Sequence, residues 1–495
     1  MMSTEMIPHW LDKRAFLSPH ETAIVFDGNT YSFQDIQQKA RTLSSQLHAF
    51  GVQDGDHVAI YFKNSVEMVY LVHALTYLGA VGVLLNTRLT DKEVSFQVSD
   101  AECSHVVHDG DIPNIQDIPS TTKLISFNEL SKLEPEPCSF YTELPQDKPY
   151  TILYTSGTTG SPKGVVLTYG NHWWSAVSSA LNLGLTENDK WLAALPLFHV
   201  GGLSILMKSV IYGMPVYLLS SFDKERVHNA IMNEGVTMVS VVSVILNRLL
   251  DRLGEERYPE AFRCMLLGGG PAPKPLLEKA KAKEIPVFQT YGMTETSSQI
   301  VTLSPGDALK KLGSAGKALF PAQLSIQHED REAGANEVGE ITVKGPMVTE
   351  GYFKRPETNE ETIKDGWLAT GDLGYVDEEG FLYVVDRRKD LIISGGENIY
   401  PAEIESMLSG IDGVIEAGVI GKESSEWGEV PVAFIVGDRK ADLNQDLVVK
   451  YCREKLAKYK VPKEIHFVDH LPRNASNKIL RRELVHWLKQ RRHME

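Results

Sequence analysis

The stretch from Tyr154 to Gly164, which reads Tyr-Thr-Ser-Gly-Thr-Thr-Gly-Ser-Pro-Lys-Gly, limits what this chain can fold into more than any other. The residues from Thr151 to Tyr154 favour the extended state and predict a strand. Glycine lets a backbone approach a ligand closely, and backbone N–H groups with hydroxyls can surround an anion. Lys163 adds a positive charge. This composition after a strand predicts a polyphosphate-binding loop, and the alternative is a flexible polar loop.

The loop differs from that of kinases and GTPases, which requires glycine, four residues and then Gly-Lys-Ser/Thr. Pro162 stands five residues after Gly157, and Gly-Lys-Ser/Thr occurs nowhere in the chain. The loop instead resembles the phosphate loop of the acyl-adenylate-forming superfamily, which includes acyl-CoA synthetases, peptide-synthetase adenylation domains and luciferases. The resemblance implies that the loop binds the nucleotide and that Thr155 and Lys163 are also catalytic. The residues concerned are Thr155, Ser156, Gly157, Thr158, Thr159, Gly160 and Lys163.

Bulk properties exclude several other classes of protein. The length of 495 residues favours at least two domains. The formal net charge of −15 argues against nucleic acid as the main partner. The four cysteines lie far apart without metal or redox spacing, which is typical of a reduced cytoplasmic protein. The N-terminus lacks the apolar core of a signal peptide. The sequence is compatible with a homo-oligomer and with a monomer.

Hydrophobic periodicity alternates between helix and strand along most of the chain. Ser32 is expected to cap one helix, and Thr90 with Glu93 predicts a capping box at another. The apolar stretch from Leu71 to Leu85 is short for a membrane span and is interpreted as a buried helix followed by a strand. Alternation of this kind predicts a parallel sheet covered by helices, resumed directly after the phosphate loop. Residues 109–148 are expected to be a connecting excursion.

The alternation of helix and strand patterns ends after Thr294, where short predicted strands among glycines suggest a small β-rich unit. The predicted fold is α/β. A large N-terminal domain, residues 1–388, has a layered parallel sheet and a β-rich subdomain. It is followed by a small mobile α+β C-terminal domain, residues 389–495. The large domain is expected to hold ATP and the acyl substrate.

Two motifs of the large domain match the superfamily at the acyl side of the site. Leu195 to His199 follows a predicted strand, and a histidine there lies where parallel sheets bind ligands. The resemblance gives His199 the place of the aromatic residue that lines and gates the acyl pocket. Leu267 to Pro273 contains three glycines, and their exposed backbone would pack flat against adenine or an acyl ring. The glycines are Gly268, Gly269 and Gly270, of which Gly269 is also expected to contact the substrate.

The stretch from Gln289 to Glu295, Gln-Thr-Tyr-Gly-Met-Thr-Glu, brings a ring, a hydroxyl and a carboxylate within a few residues of one another. The resemblance implies that Tyr291 stacks on adenine, that Thr294 reaches a phosphate oxygen and that Glu295 holds Mg²⁺, a hard ion that prefers oxygen ligands. Thr294 and Ser298 are also expected to contact the acyl substrate. The predicted nucleotide-binding residues of this stretch are Gln289, Thr290, Tyr291, Gly292 and Thr294.

Later motifs extend the resemblance to the end of the chain. By that resemblance Asp372 binds the ribose hydroxyls, Arg387 reaches ribose or phosphate, and Lys389 is the hinge between domains. Lys478, in the stretch Leu471 to Lys478, takes the place of the lysine that bridges the substrate carboxylate and the nucleotide. Gly395 and Gly396 are expected to border a coenzyme A tunnel, because bare backbone admits a pantetheine arm.

The resemblance implies an enzyme, an acid–thiol ligase. A carboxylate attacks ATP to give acyl-AMP and diphosphate, and coenzyme A then displaces AMP. Lys208 stands inside an apolar run, so it either meets a second carboxylate on the substrate or extends to the surface. Ser178 to Gly184, Leu267 to Pro273 and Arg473 to Lys478 resemble the o-succinylbenzoate–CoA ligases of menaquinone biosynthesis, whose substrate is an aromatic keto-diacid. The alternatives are a medium-chain fatty acyl or aryl monoacid CoA ligase and a non-catalytic nucleotide-binding protein.

Overall fold

The computed structural model describes residues 5–112, 114–115, 118–155, 162–269, 274–328, 331–386, 392–399, 401–438, 443–472, 479 and 481–491. Within those ranges, no helix has both the length and the apolar character needed to cross a bilayer. The stretch from Leu71 to Leu85 forms a buried helix and then a buried strand, as its sequence predicts.

The first third of the chain builds most of a seven-stranded, mostly parallel sheet. Its order is β21-β10-β9-β5-β4-β6-β7, in which the edge strand β21 (Gly351–Tyr352) comes from much later in the chain. Its strands and their neighbours are β1 (Met6–Pro8), β2 (Thr22–Phe26), β3 (Asn29–Ser32), β4 (His57–Tyr61), β5 (Val81–Leu84), β6 (His105–His108), β7 (Lys123–Ser126), β8 (Glu143–Pro145), β9 (Pro149–Thr155) and β10 (Lys163–Thr168). The helices are α1 (Trp10–Leu17), α2 (Phe33–Phe50), α3 (Val66–Leu78), α4 (Asp91–Asp100), α5 (Phe127–Leu130) and α6 (Tyr169–Leu183).

The middle of the chain adds a second parallel array, in the order β15-β14-β13-β11-β12-β2. Its strands are β11 (Trp191–Ala193), β12 (Val216–Leu218), β13 (Met238–Val241), β14 (Cys264–Leu267), β15 (Val287–Met293) and β16 (Ser298–Leu303). Its helices are α7 (Val200–Tyr212), α8 (Lys224–Asn233), α9 (Ser243–Leu253), α10 (Lys274–Ala282) and a 3₁₀ turn (Thr294–Thr296).

The following strands continue that sheet in antiparallel fashion. They are β17 (Ser314–Ala318), β18 (Gln323–His328), β19 (Arg331–Glu332), β20 (Gly339–Lys344), β21 (Gly351–Tyr352), β22 (Ile363–Lys364), β23 (Trp367–Val376) and β24 (Leu382–Asp386), with helix α11 (Pro356–Thr362). Strands β16 and β17 join this part to β15, so the β-rich region is an extension of the parallel array rather than a detached unit.

Helices cover both sheets in layers. The largest apolar cluster contains side chains of both sheets, such as Ile60 and Trp191, together with residues of α3 and α7. A second cluster packs α8, α9 and α10 on the outer face of the larger sheet. A third packs α4 on the outer face of the smaller sheet. The two sheets therefore share a helical middle layer, which confirms the predicted layered α/β fold.

The C-terminal part has a core of its own. Its strands are β25 (Ile392–Ser394), β26 (Glu397–Ile399), β27 (Val414–Ser424), β28 (Gly428–Gly437) and β29 (Glu464–Phe467). Its helices are α12 (Pro401–Leu408), α13 (Gln445–Lys455) and α14 (Arg481–Arg491). The two apolar clusters of this part contain only residues from Ile392 onward, which agrees with a small separate α+β unit.

Local sequence signals that cap helices are confirmed, and two predictions of connectivity need correction. Ser32 with Asp35 and Thr90 with Glu93 both form complete capping boxes. Strand β10 does not resume the parallel alternation but turns back antiparallel on β9, since only a short loop separates them. Residues 109–148 contain β7, which extends the sheet in parallel with β6, and β8, which pairs with β1.

Helix α7 begins at Val200, before Gly201 and Gly202. Two glycines at its start argue for a loop by propensity. A Cβ at Gly202 would lie 2.2 Å from the carbonyl oxygen of Pro196, so glycine is required there by a close approach of backbones. This early start makes His199 the N-cap of α7.

Candidate functional site

Strands β9 and β10 hold the two ends of the predicted phosphate loop side by side. Thr155 and Lys163 are direct partners in the antiparallel register of these strands. The hydrogen bonds between β9 and β10 therefore hold the two ends of the loop together. The intervening residues Ser156, Gly157, Thr158, Thr159 and Gly160 lie outside the described residues.

Lys163 and Glu295, predicted from motifs far apart in sequence, meet at Tyr352. The Nζ of Lys163 lies 5.4 Å from the centre of the Tyr352 ring, and the Tyr352 hydroxyl donates to Oε1 of Glu295 at 2.9 Å. Strand β21 carries Tyr352 alongside β10, which explains the meeting. Sequence reasoning missed Tyr352, because no motif flags it and only the pairing of β21 with β10 brings it there.

Glu295 has the properties of a ligand for a hard cation. It is 4% exposed, and its own carbonyl accepts from the N–H of Thr349, which fixes its backbone. In the described ranges no group of three His, Cys, Asp or Glu side chains forms a ready metal cluster. A magnesium ion at this point would therefore take oxygen from Glu295 and complete its coordination with phosphate and water oxygens.

Tyr291 and Asp372 form a second meeting point. The Tyr291 hydroxyl donates to Oδ2 of Asp372 at 2.8 Å, across 81 residues of sequence. Gly292 follows directly, and a Cβ there would lie 2.0 Å from the carbonyl oxygen of Ser298, so no other residue fits. The carboxylate predicted for ribose and the ring predicted for adenine are thus neighbours.

The remaining members of this motif differ in how the fold uses them. The Thr290 hydroxyl donates to the carbonyl of Val301 at 2.9 Å and so links strand β15 to strand β16. The amide nitrogen of Gln289 is buried and has no hydrogen-bond partner among the described residues. Thr294 opens the 3₁₀ turn, where its carbonyl accepts from the N–H of Ser297. Of these, Gln289 has the clearest unused hydrogen-bonding capacity.

The small unit presents its glycines to the glycine turn of the large one. Gly396 and Gly269 both lie against Val242. A Cβ added at Gly396 would lie 3.4 Å from a methyl carbon of Val242, and one added at Gly269 would lie 3.3 Å from a methyl carbon of the same side chain. Gly268, one residue earlier, donates its N–H to the carbonyl of Val241. A Cβ at Gly395 would lie 2.9 Å from the Trp427 ring. The two glycine segments predicted to line ligand therefore come together, whereas Gly270 lies outside the described residues.

His199 is bound by a carboxylate of the small unit that sequence reasoning missed. Its Nε2 lies 3.2 Å from Oε2 of Glu397, whose Oε1 accepts from Arg88. Burial would raise the pKa of Glu397, but the hydrogen bond to His199 and the charges of His199, Arg88 and Lys460 lower it. Glu397 is next to Gly396 in sequence, which is the only signal that pointed to it.

Lys208 is fully buried, so the alternative that it extends to the surface is excluded. It is 1% exposed, its Nζ donates to the Ser204 hydroxyl at 3.4 Å, and it lies 5.0 Å from the centre of the Trp191 ring. Burial lowers the pKa of Lys208 to about 8. Ser298, predicted to contact substrate, lies 3.5 Å from the same Ser204 hydroxyl. The structure thus joins Lys208 and Ser298 through a residue that the motifs did not indicate.

Three predicted residues of the second half of the chain fall outside the described residues: Arg387, Lys389 and Lys478. The site can be described up to Asp386 and again from Ile392.

Comparison with known families agrees with this geometry. The AMP-binding enzyme family matches residues 11–353, and the AMP-binding enzyme C-terminal domain matches residues 403–478. The first match extends over more than half of the chain. The chain therefore belongs to the AMP-binding enzyme family.

Individual relatives are similar over almost the whole length. The 2-succinylbenzoate–CoA ligase of Oceanobacillus iheyensis is 56% identical over 485 residues, which cover 97% of this chain and 99% of that protein. The 2-succinylbenzoate–CoA ligase of a Geobacillus species is 53% identical over 478 residues, which cover 97% of both chains.

Solved structures of o-succinylbenzoate CoA synthetase from Bacillus subtilis are similar to two different degrees. A double mutant bound to the product analogue OSB-NCoA has a TM-score of 0.93, with 49% identity, 97% of this chain and 98% of that chain covered. The same enzyme with the acyl-adenylate OSB-AMP has a TM-score of 0.76 at the same identity and coverage. Because the identity is equal, the difference in TM-score reflects the arrangement of the fold rather than the sequence.

Proposed function

We propose that this chain is an AMP-forming 2-succinylbenzoate–CoA ligase of menaquinone biosynthesis. Its overall reaction converts 2-succinylbenzoate, ATP and coenzyme A to 2-succinylbenzoyl-CoA, AMP and diphosphate. The observation that carries the proposal is the fully buried Lys208, a cation without a protein carboxylate in the described ranges, beside a family-typical nucleotide site. The high identity to named 2-succinylbenzoate–CoA ligases supports the same conclusion.

In the first half-reaction a substrate carboxylate oxygen attacks the α-phosphorus of ATP, and the bond from that phosphorus to the diphosphate leaving group breaks. We assign the phosphates to the loop from Thr155 to Lys163 and the reacting carboxylate to Lys478. Cationic and N–H donors fixed before the reaction stabilise the negative charge that develops on the phosphoryl oxygens. Bound Mg²⁺ neutralises phosphate charge, and Glu295 with its oxygen donor and fixed backbone suits that ion.

The nucleoside end of ATP is assigned to the second meeting point. Tyr291 packs against adenine, Asp372 accepts from the ribose hydroxyls, and Arg387 reaches ribose or phosphate. The hydrogen bond between Tyr291 and Asp372 supports this assignment, because it already brings a ring and a carboxylate to adjacent positions.

In the second half-reaction the thiol of coenzyme A loses its proton to water and its sulfur attacks the acyl carbonyl carbon. The bond from that carbon to the phosphate oxygen breaks, and AMP leaves with the electron pair of that bond. We propose that the small domain, residues 389–495, turns about Lys389 between the half-reactions. Gly395 and Gly396 then border the pantetheine arm. The contact of Gly396 with Val242, beside Gly269, supports this geometry. The higher TM-score to the structure with a thioester analogue supports assigning the present arrangement to this step.

We also propose that the enzyme works in the cytoplasm. The four cysteines are free, and three of them are buried, as expected where thiols stay reduced. Its partners are small molecules: the carboxylic acid, ATP and coenzyme A.

The decisive experiment is ATP–diphosphate exchange with a panel of acids. We expect 2-succinylbenzoate to support exchange at least tenfold better than benzoate, coumarate or medium-chain fatty acids. Exchange with a monoacid but not with the diacid would replace this proposal by a monoacid CoA ligase. Absence of exchange with every acid, in a protein that binds ATP, would indicate a non-catalytic nucleotide-binding protein.

The proposed domain turn has its own test, in which the half-reactions are measured separately. Lys478→Ala should reduce diphosphate release roughly hundredfold, as for loss of one charge-stabilising donor, and leave thioester formation from synthetic acyl-AMP nearly intact. Lys389→Pro should do the reverse, because proline fixes φ at the hinge. Equal loss of both half-reactions in both folded variants would contradict the turn.

A further inference from the structure

Ser204 lies at the centre of three buried polar groups on the acyl side of the site. It is 3% exposed. Its hydroxyl oxygen is 3.4 Å from Lys208 Nζ, 3.5 Å from Ser298 Oγ and 3.4 Å from the carbonyl oxygen of Gly201. All three distances are at the long limit for a hydrogen bond, so each contact is weak. Two hydroxyls and one ammonium therefore keep hydrogen-bonding capacity at one buried point.

The direction of the Lys208 side chain explains why this point lies at Ser204. Side chains of an α-helix lean toward its N-terminus, so a lysine reaches the turn that precedes it. Lys208 stands four residues after Ser204 on α7, and its ammonium accordingly reaches the Ser204 hydroxyl. The charge is thus presented one turn nearer to His199 than the Cα of Lys208.

The depth of Ser204 matches the size of a keto-diacid. Ser204 is five residues beyond His199, which is roughly 7.5 Å along the axis of α7. The two carboxyl carbons of 2-succinylbenzoate are separated by six carbon–carbon bonds of about 1.5 Å each, and because the chain is angled at every carbon these bonds span roughly 7 Å end to end. A substrate whose reacting carboxylate lies near His199 therefore places its other carboxylate at the level of Ser204.

We propose that Ser204 is a specificity-determining residue, which with Ser298 and Lys208 binds the carboxylate that is not activated. This inference rests on the proposed function and adds to it the residue and the depth at which the second carboxylate is recognised. A carboxylate accepts several hydrogen bonds and has no proton to donate, so it satisfies two hydroxyls and an ammonium together. It also balances the charge of Lys208, which the protein itself leaves unpaired in the described ranges.

The test compares two acids with the same skeleton in the full-length enzyme. One is 2-succinylbenzoate, and the other is 4-oxo-4-phenylbutanoate, which lacks only the ring carboxylate. Ser204→Ala should lower kcat/KM for the diacid roughly tenfold or more, mainly through KM, as expected for a lost hydrogen bond to a charged group. The same variant should leave kcat/KM for the monoacid within about twofold of the parent.

Ser209→Ala is the matched control. Ser209 is a buried serine of the same helix, and its hydroxyl donates to the carbonyl of Met214 at 2.7 Å. It removes the same atom from α7 without touching the three-group cluster, so the ratio of diacid to monoacid kcat/KM should stay at the parent value.

Two outcomes separate this inference from the proposed function. If Ser204→Ala lowers kcat/KM for both acids equally while the parent enzyme still prefers the diacid, the role of Ser204 is overturned and the function stands. If the parent enzyme activates the monoacid as well as the diacid, the diacid function is overturned together with the inference.

Discussion

Two buried lysines of this protein meet opposite environments. Lys208, in the middle layer of the large domain, is 1% exposed, and its only hydrogen bond in the described ranges goes to a hydroxyl. Lys460, in the small domain, is 4% exposed, and its Nζ lies 2.9 Å from Glu93 and 2.7 Å from Glu403. Lys460 has carboxylate partners inside the protein, whereas Lys208 has none among the residues that the structure describes.

The pKa values follow this difference. Burial lowers the pKa of Lys208 to about 8, because the lost hydration outweighs the opposing effect of Cys264. Burial alone would also lower the pKa of Lys460, but the charges of Glu403, Tyr459 and Glu93 raise it above its usual value. On the function proposed above, the second carboxylate of the substrate would supply the anion that Lys208 lacks among the described residues, whereas Lys460 has its anions within the protein.

The balance around Lys460 also depends on how the two domains are arranged. Glu93 belongs to α4 of the large domain and Glu403 to α12 of the small one. Beside them, the Thr90 hydroxyl donates to the carbonyl of Lys455. Lys460 therefore stabilises the present arrangement of domains, and turning the small domain would expose this cluster to water.

Lys208→Met should have the largest effect on catalysis. We expect kcat/KM for 2-succinylbenzoate to fall about hundredfold, since a charged hydrogen bond is worth about 1.5–3 kcal/mol. The free energy of unfolding should stay constant or rise, because an unbalanced buried charge is replaced by a group of similar length. The measurements are steady-state kinetics and urea denaturation. A loss of more than about 2 kcal/mol of unfolding free energy would mean that Lys208 is balanced within the protein.

Lys460→Met should destabilise the protein, whereas Lys208→Met should not. It leaves two buried carboxylates without a cation, so the present arrangement of domains is destabilised. We expect thioester formation from synthetic acyl-AMP to slow roughly tenfold, a loss limited because water enters when the domains separate. Diphosphate release from ATP and acid should change less than about twofold. Equal changes in both half-reactions would refute the link between Lys460 and one arrangement.

The pH dependence of diacid binding sharpens the same comparison. The pKa of Lys208 is lowered to about 8, so the ammonium is present below pH 8 and is lost as the pH rises through that value. KM for 2-succinylbenzoate should accordingly rise about fivefold between pH 8 and pH 9. KM for 4-oxo-4-phenylbutanoate should stay flat over that range, as should the diacid profile of Lys208→Met. A parallel rise for both acids would assign the titration to another group.

Glu403→Gln should have the smallest effect. Oε1 of Glu403 accepts from Lys460, while its Oε2 is buried and has no hydrogen-bond partner within the described part of the chain. Burial raises the pKa of Glu403 despite the opposing charge of Lys460, so the ionised form is already disfavoured. The amide keeps an acceptor for Lys460, and Glu93 still provides a carboxylate beside it. We expect thioester formation within about twofold of the parent and an unchanged melting temperature.

The sequence predicted most of the elements, because their signals are local. Capping boxes at Ser32 and Thr90 join residues three apart, and the strand before the phosphate loop follows from its own composition. Motifs far apart in sequence also named residues that the structure brings together, since Lys163 and Glu295 both contact Tyr352 and Tyr291 donates to Asp372, while their roles in binding stay predictions. Backbone hydrogen bonds within one turn and side-chain propensity suffice for predictions of this kind.

Only the tertiary structure decided which of these residues are neighbours and which charges are balanced. Tyr352 enters the site through the pairing of β21 with β10, and Glu397 reaches His199 from a different domain, 198 residues away. Lys460 meets Glu93 across 367 residues, and Ser204 joins Lys208 to Ser298 where helix α7 faces β16. A sequence gives the chemical type of each side chain and its local backbone. Burial and pairing arise from packing between distant segments, and they alone distinguish Lys460, which meets two carboxylates, from Lys208, which meets a hydroxyl and an aromatic ring.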